Sequence, residues 1–348
     1  MHFYRLAAVL AFFAIVLITG GQARAGDVEK PNCSSAVIPV SIIEGGPKSY
    51  SIYGELCHPT GGPSSVLQIL VHGYTYDHAY WSAGLGDQYD YVKAANEAGY
   101  STLAIDRIGS AGESSRPLSA LVTLLAGATS LHDVVWAARH GGVSGGPYEG
   151  VLTVGHSLGA GISWIEAGLY HDVDGLISSG FGHPFGNVTG LLLQTTPAIL
   201  DRRLRPLIGL DAGYLTTSPG ARENIFYSLA TSDPAVIAND EATKGLGTAG
   251  EIATLTTYEA TTLLIDVPVL LVMGEYDGFF CLQAGKGGLD NCASDTSLYL
   301  SERAFFPLAS DFEAWVQPGA GHDNNLHLNA SSWFAKASEW TLARFPPQ

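Results

Sequence analysis

The residues with the clearest chemical potential are a serine and the two glycines that flank it. Residues 155–159 read Gly-His-Ser-Leu-Gly, a G-x-S-x-G pattern, and the β-branched and apolar run Val151–Val154 precedes them. A serine at a sharp strand-to-helix turn needs small residues two positions before and after it, because side chains there would force the strand against the helix. The sequence therefore predicts a nucleophilic hydroxyl at Ser157, with the amide of Leu158 directed toward the same space.

A nucleophilic serine needs a base, and the base needs an acid that orients it. Asp277 follows a predicted strand at 267–274, and His322 follows a predicted strand at 312–316. In an open parallel sheet the carboxyl ends of the strands meet at one edge, so we expect both side chains to lie close to Ser157.

Both assignments have simpler alternatives. Asp277 fits an ordinary turn, and His322 fits a surface histidine, with His327 as its nearest rival for the role of base. We interpret His156, inside the serine pattern, and His72 as hydrogen-bonding support for the site.

Two further motifs follow predicted strands. The strand 65–71 runs into His-Gly-Tyr at residues 72–74, and residues 106–112 contain Asp-Arg-x-Gly-x-x-Gly. With the pattern at 155–159 and the order serine, acid, histidine, these motifs resemble the α/β-hydrolase family, in particular its lid-bearing serine hydrolases. The resemblance covers residues 65–342, approximately.

The resemblance implies a role for each matched residue. Ser157 would be the nucleophile, His322 the general base and then acid, and Asp277 the carboxylate that orients His322. The backbone amides of Tyr74 and Leu158 would form the oxyanion hole. Structural roles around the site would fall to His72, Gly73, Gly155, His156 and Gly159. The resemblance implies no metal and no organic cofactor.

The predicted elements give an α/β fold. After two antiparallel strands at 36–42 and 49–56, strands alternate with helices, which is typical of a mostly parallel central sheet with helices on both faces. The alternation lapses at 181–264, which we interpret as an inserted helical cap, or lid; the core would comprise 26–180 and 265–348. Other predicted strands are 101–106 and 175–179, and predicted helices are 89–98, 131–140, 158–169, 249–264, 301–308 and 331–344.

The first 25 residues have the layout of a secretory signal peptide. Arg5 gives a positive start, residues 6–19 are apolar, and Ala23–Ala25 is an A-x-A cleavage pattern. A membrane anchor is the rival interpretation, but the apolar run is shorter than the ~20 residues that a span needs. We therefore expect cleavage after about Ala25 and a secreted protein, extracellular or periplasmic, with no integral membrane span in the mature chain.

Composition narrows the classes further. Hydrophobic residues make up 46% of the chain and charged residues 14%, which excludes a disordered protein. The formal net charge of −16 argues against nucleic acid and anionic membrane surfaces as partners.

Cysteine usage agrees with export. Four cysteines allow three pairings, of which the sequence-local one joins Cys33 to Cys57 and Cys281 to Cys292. Metal binding is the rival interpretation, but no C-x-x-C pattern supports it. Because Cys281 lies four residues after Asp277, we hypothesise that its disulfide holds the loop of the acid in place.

Taken together, the sequence predicts a secreted serine hydrolase that cleaves small-molecule carboxylic esters through an acyl-enzyme, in the manner of esterases and lipases. Lactone or thioester hydrolysis and acyl transfer use the same machinery. An aminopeptidase is a further alternative, because acidic groups in the cap would hold a substrate amine: Glu223, Asp233, Asp240, Glu241 and Glu251. A non-catalytic binding protein is disfavoured, since all three triad residues are present. The oligomeric state is not predicted.

Overall fold

The computed structural model describes residues 32–186 and 188–347 of the chain. The predicted signal peptide at 1–25 lies outside the described residues. No helix within the described ranges is long and apolar enough to cross a bilayer.

Two sheets are formed by the described residues. Eight strands make a large sheet in the order β1-β2-β4-β3-β5-β6-β10-β11, and three make a small sheet in the order β7-β8-β9. Pairing is antiparallel for β1 with β2 and for β2 with β4, and parallel in the rest of the large sheet. The strands are β1 (Cys33–Val40), β2 (Tyr50–Cys57), β3 (Val66–Val71), β4 (Ser101–Ile105), β5 (Gly150–His156), β6 (Gly175–Ser179), β7 (Thr195–Pro197), β8 (Tyr214–Thr217), β9 (Gly247–Thr248), β10 (Val269–Gly274) and β11 (Phe312–Gln317).

Helices fill the connections between the strands. Those in the described residues are α1 (Tyr91–Glu97), α2 (Leu124–Arg139), α3 (Leu158–Tyr170), α4 (Val188–Leu193), α5 (Arg205–Ile208), α6 (Ala221–Phe226), α7 (Pro234–Thr243), α8 (Ala249–Ala253), α9 (Tyr258–Thr261), α10 (Asp295–Glu302) and α11 (Ala330–Arg344). Helices α2 and α3 pack on each other, and α1 packs on α11.

The central strands are buried along their whole length. Every residue of β3, β4, β6 and β10 is buried. Because successive side chains of a strand point to opposite faces, burial at every position means that both faces of the sheet are covered. This confirms the predicted fold class, a mostly parallel sheet surrounded by helices.

The segment 181–264 contains more than the helices that the sequence analysis expects. Strand β8 pairs with β7 on one side and β9 on the other, both antiparallel. The predicted helix at 249–264 breaks into α8, α9 and 3₁₀ turns. Threonine hydroxyls in this stretch bond to nearby carbonyls, as Thr254 Oγ1 does to Gly250 at 2.8 Å, and such local bonds compete with a continuous helix.

Helix α10 also differs from its prediction at 301–308. It occupies Asp295–Glu302, because Ser294 caps it by accepting a hydrogen bond from the Ser297 amide at 3.2 Å. In the same way α2 begins at Leu124, seven residues before the predicted start, where Thr123 accepts from the Ala126 amide at 3.1 Å. In both cases the cap residue, and not the apolar periodicity, determines where the helix starts.

Candidate active site

Ser157 lies at the sharp turn between β5 and α3. Its backbone has φ 51° and ψ −124°, a left-handed conformation that L-residues rarely adopt. A Cβ at Gly155 would collide with the backbone of Ala160, and one at Gly159 with the carbonyl of Val71. The close packing of helix α3 against the strands therefore requires both flanking glycines. The sequence pattern predicts the same requirement for the same reason.

The structure brings together the three residues that the sequence analysis proposed as a triad. His322 Nε2 lies 2.8 Å from Ser157 Oγ, and His322 Nδ1 lies 2.8 Å from Asp277 Oδ2. Asp277 Oδ1 accepts hydrogen bonds from the amides of Phe279 at 2.8 Å and Phe280 at 3.3 Å. These amides fix the carboxylate, and the carboxylate in turn fixes the orientation of the imidazole.

Electrostatics favour a protonated His322. Burial lowers its pKa, but the charge and hydrogen bond of Asp277, together with the charge of Asp323, outweigh burial. The pKa of His322 therefore lies above the ordinary value of 6.5. A histidine in this setting accepts a proton readily from the hydroxyl that it contacts.

The turn after β3 lies directly against the serine. A Cβ on Gly73 would be 3.1 Å from the Cβ of Ser157, so this turn approaches closely only because residue 73 is glycine. Within the described residues, neither the Tyr74 amide nor the Leu158 amide donates to a protein acceptor. Both residues line the cavity that Ser157 faces, so two unpaired donors accompany the hydroxyl.

That cavity is apolar and narrow. Apart from Ser157 and His322, its walls are aromatic and aliphatic: Tyr74, Tyr76, Leu158, Phe181, Phe185, Leu191, Phe226, Ile252, Leu255 and Phe279. Its free volume is about 20 Å³, room for about one water molecule.

The sequence profile of the alpha/beta hydrolase family matches residues 68–337. The chain belongs to the alpha/beta hydrolase family. Comparison with curated proteins gives no match.

Several solved structures share the fold of this alpha/beta hydrolase. A thermophilic esterase from Thermogutta terrifontis is 18% identical, with a TM-score of 0.57 over 89% of this chain and 98% of that chain. A bromoperoxidase from Bacillus anthracis is 18% identical, with a TM-score of 0.57 over 89% of this chain and 100% of that chain. A monoacylglycerol lipase from Paleococcus ferrophilus is 16% identical, with a TM-score of 0.56 over 84% of this chain and 98% of that chain. At such identity the likeness concerns the fold alone.

Three other histidines of this alpha/beta hydrolase surround the triad and are engaged on both ring nitrogens. His72 contacts the Gly73 carbonyl (2.9 Å) and accepts from the Arg107 amide (3.1 Å). His156 contacts the hydroxyl of Ser179 and a carboxylate oxygen of Asp323, at 3.2 and 3.1 Å. Burial lowers the pKa of both rings well below 6.5, so neither is placed to act as a base.

His327, the rival base, supports the backbone on either side of the site. Its Nε2 accepts from the amides of Gly321 at 2.8 Å and Ser228 at 3.2 Å, and its Nδ1 contacts the Asp323 carbonyl at 2.8 Å. It therefore holds the loop that carries His322 and does not reach Ser157.

A network of buried charged and polar side chains lies next to the proposed triad, and the sequence did not predict it. Arg222 in α6 forms two hydrogen bonds to Asp240 in α7, at 2.7 and 2.8 Å. The hydroxyl of Tyr76 contacts Asp240 at 3.1 Å and also bonds to Asp323. Asp323 directly follows His322 in the sequence. A carboxylate next to the proposed base is the only local feature of the sequence that points to this network. Its partners come from distant parts of the chain, so only folding reveals them.

Four of the five acidic residues proposed to bind a substrate amine have other partners in the structure. Asp240 pairs with Arg222, and Glu251 pairs with Arg107, both inside the protein. Glu241 pairs with Lys244 at 2.6 Å, Asp233 accepts from the Ala235 amide at 2.8 Å, and Glu223 is exposed. None of the five lines the cavity beside Ser157.

The structure joins Cys33 to Cys57 and Cys281 to Cys292. The second disulfide closes a loop that returns to the loop of the acid. The Cys281 amide donates to the Asp277 carbonyl at 3.0 Å, and the Asp290 amide donates to the Phe280 carbonyl at 2.7 Å. The disulfide-closed loop thus packs against the segment that presents Asp277.

Proposed function

We propose that this alpha/beta hydrolase is a serine hydrolase that cleaves carboxylic esters through a Ser157-His322-Asp277 triad. The observation that carries the proposal is the position of the His322 ring, 2.8 Å from both Ser157 Oγ and Asp277 Oδ2. Two of the solved structures with a similar fold are an esterase and a monoacylglycerol lipase, which supports ester hydrolysis as the reaction.

The reaction would proceed in two halves. Ser157 Oγ attacks the acyl carbon while its proton moves to His322 Nε2, and the carbonyl oxygen becomes an oxyanion that the Tyr74 and Leu158 amides stabilise. The C–O bond to the alcohol then breaks, and the alcohol leaves with the proton from His322. Water attacks the acyl-enzyme by the same steps and releases the acid. Each oxyanion donor contributes on the order of 3 kcal/mol to the transition state.

The walls of the cavity favour an apolar acyl or alcohol group. Several lining residues belong to the segment 181–264, among them Phe185, Leu191, Phe226 and Ile252. We infer that this segment is a cap over the site. Because the free volume beside Ser157 is only about 20 Å³, we propose that the cap shifts to admit substrate.

Secretion is also part of the proposal. The two disulfides are the usual state of cysteines in exported proteins, and they agree with the signal peptide expected at residues 1–25. Transport can be tested by expressing the full chain and sequencing the amino terminus of the exported protein, which should begin at about residue 26.

The decisive experiment measures hydrolysis of p-nitrophenyl esters from acetate to palmitate by the wild type and by Ser157→Ala. Because triad members act as a unit, we expect the variant to lose at least ~10³-fold in kcat. Aminoacyl-p-nitroanilides on the same plate test the peptidase alternative. Ester turnover that survives in Ser157→Ala would contradict the proposal, whereas fluorophosphonate labelling of Ser157 without ester turnover would indicate a narrower acyl substrate.

A further inference from the structure

Three side chains of types that commonly bind metals meet where helix α2 packs on α3, and the proposed ester chemistry makes no use of them. They are His132 of α2, Glu166 of α3 and Asp172, just beyond α3. His132 Nδ1 lies 2.9 Å from Asp172 Oδ2 and 3.9 Å from Glu166 Oε1. The three ligand atoms all lie within 4.8 Å of one another.

Glu166 is the unusual member of this group. Its side chain is 0% exposed, and its only possible hydrogen-bond partner is the Asp172 carboxyl, which requires a proton on one of the two groups; no backbone amide or cationic side chain among the described residues donates to either oxygen. No lysine or arginine in the described ranges forms an ion pair with it. A buried carboxylate without a donor or a cation is costly, and such a group calls for a ligand, an ordered water or a retained proton. Burial, and then the nearby Asp172 carboxyl, raise the pKa of Glu166 well above its usual value.

We propose that His132, Glu166 and Asp172 bind one divalent cation of the zinc type. Two carboxylates supply the two negative charges that neutralise such an ion, and the imidazole selects zinc and its neighbours over calcium or magnesium. With bonds of 2.0–2.2 Å to zinc, tetrahedral ligand atoms lie about 3.4 Å apart. The observed distances of 2.9 and 3.9 Å fall on either side of that value.

The open side of the group leaves room for a fourth ligand. The side chains of His132 and Asp172 are 29% and 25% exposed, so water can reach the ion while Glu166 closes the inner side. Three protein ligands and one water is a common zinc arrangement.

Neighbouring residues hold two of the ligands in place before any ion binds. The His132 ring stacks on Tyr170, with centroids 3.9 Å apart and planes at 11°, and the hydroxyl of Tyr170 contacts Thr129 Oγ1 at 3.1 Å. Arg139 Nε donates to the Asp172 carbonyl at 2.9 Å. Support of this kind fixes ring and backbone orientation at metal sites. The ion would join α2 to the end of α3 opposite Ser157, and this inference does not depend on the proposed ester chemistry.

The test compares zinc binding by the chelator-treated, untagged full chain and by Glu166→Gln. For the wild type we expect one Zn²⁺ per chain in calorimetry and a Tm increase of roughly 5 °C at free zinc 100-fold above Kd. Glu166→Gln should bind at least tenfold more weakly, so at the same free zinc its Tm increase should be at most about half that of the wild type. Without zinc, its Tm should equal or exceed that of the wild type, because the Gln amide can donate to Asp172 as the protonated Glu166 carboxyl does and carries no charge at any pH, which shows that the variant folds.

Two control variants complete the design. His132→Gln should behave like Glu166→Gln. His140, an exposed histidine directly after α2, supplies the control: His140→Gln should bind zinc like the wild type. Equal zinc affinity in the wild type and Glu166→Gln would overturn the site and leave Glu166 and Asp172 as a pair that shares a proton. A second group of potential zinc ligands is His156, His322 and Asp323, whose ligand atoms also lie within 4.8 Å of one another. Binding lost in His322→Asn but kept in Glu166→Gln would therefore also overturn the proposal.

Discussion

Arg222 Nη1 lies 3.0 Å from Thr75 Oγ1, which joins two residues that are 147 positions apart in the chain. Thr75 follows Tyr74, one of the proposed oxyanion donors, and holds a left-handed backbone with φ 61°. Its carbonyl accepts from the Gly245 amide at 2.6 Å. Because both partners of Thr75 belong to the segment 181–264, the proposed cap braces the strained turn beside Ser157.

Replacing Arg222 tests this brace. Arg222→Met should lower the free energy of unfolding by about 3–5 kcal/mol, because Asp240 would be left buried without its cation. Arg222→Met/Asp240→Asn should recover much of that stability. Its kcat/KM for a p-nitrophenyl ester should still be about five- to tenfold below wild type, since the bond to Thr75 is missing. Urea unfolding and ester kinetics measure the two effects, and wild-type kcat/KM in the double variant would show that Arg222 only stabilises the fold.

The pH dependence of hydrolysis should report the protonation of His322. Only neutral His322 can accept the proton of Ser157, so kcat/KM should rise with pH through a pKa above 6.5. The charge of Asp323 contributes to this upward shift. Asp323→Asn should therefore move the acidic limb of the profile to lower pH. Asp266 is an exposed and distant carboxylate, so Asp266→Asn serves as the control. An apparent pKa of the acidic limb that is unchanged or higher in Asp323→Asn would contradict the argument.

A second carboxyl pair should make stability depend on pH. Asp290 and Glu302 lie against Gly182. Burial raises the pKa of Asp290 to about 10, with a further upward contribution from the charge of Glu302, and burial raises the pKa of Glu302 to about 8. In the unfolded chain both groups ionise near pH 4. Stability contributed by the protonated pair is thus full below about pH 4 and is lost as pH rises through 8 toward 10.

Asp290→Asn removes one of these titrating groups. Between pH 5 and pH 8 the variant should lose about 1–3 kcal/mol less unfolding free energy than the wild type, which corresponds to a pKa shift of one or two units. Chemical unfolding at a series of pH values gives this slope directly. A slope equal to that of the wild type would mean that the pair does not share a proton in the folded state.

The disulfide Cys281–Cys292 should affect both stability and activity. Cys281→Ser/Cys292→Ser should lower the free energy of unfolding by about 2–4 kcal/mol. It should also lower kcat several-fold at low temperature, because the closed loop bonds to the segment of Asp277. The matched control is Cys33→Ser/Cys57→Ser, which removes the disulfide between β1 and β2 and should lower stability alone. If kcat at 15 °C is unchanged in both variants, the loop disulfide has no role in holding the acid.

The sequence by itself determined the class of the fold and predicted the order of the candidate catalytic residues along the chain. Glycine spacing around Ser157 and apolar runs that end at Asp277 and His322 are local patterns, and a parallel sheet brings strand ends to one edge whatever the loops contain. Helix limits were less predictable, as in α2 and α10, because a single capping residue moves the start of a helix.

Tertiary structure alone decided which distant groups share the interior with the triad. Arg222, Asp240 and Asp323 come from different elements, and so do His132 and Glu166. No spacing in the sequence relates them, because their contacts arise from packing of elements that are far apart in the chain. The small sheet formed by β7, β8 and β9 has the same origin: its strands are two to four residues long, too short to leave a periodic pattern, and they exist because they pair with one another.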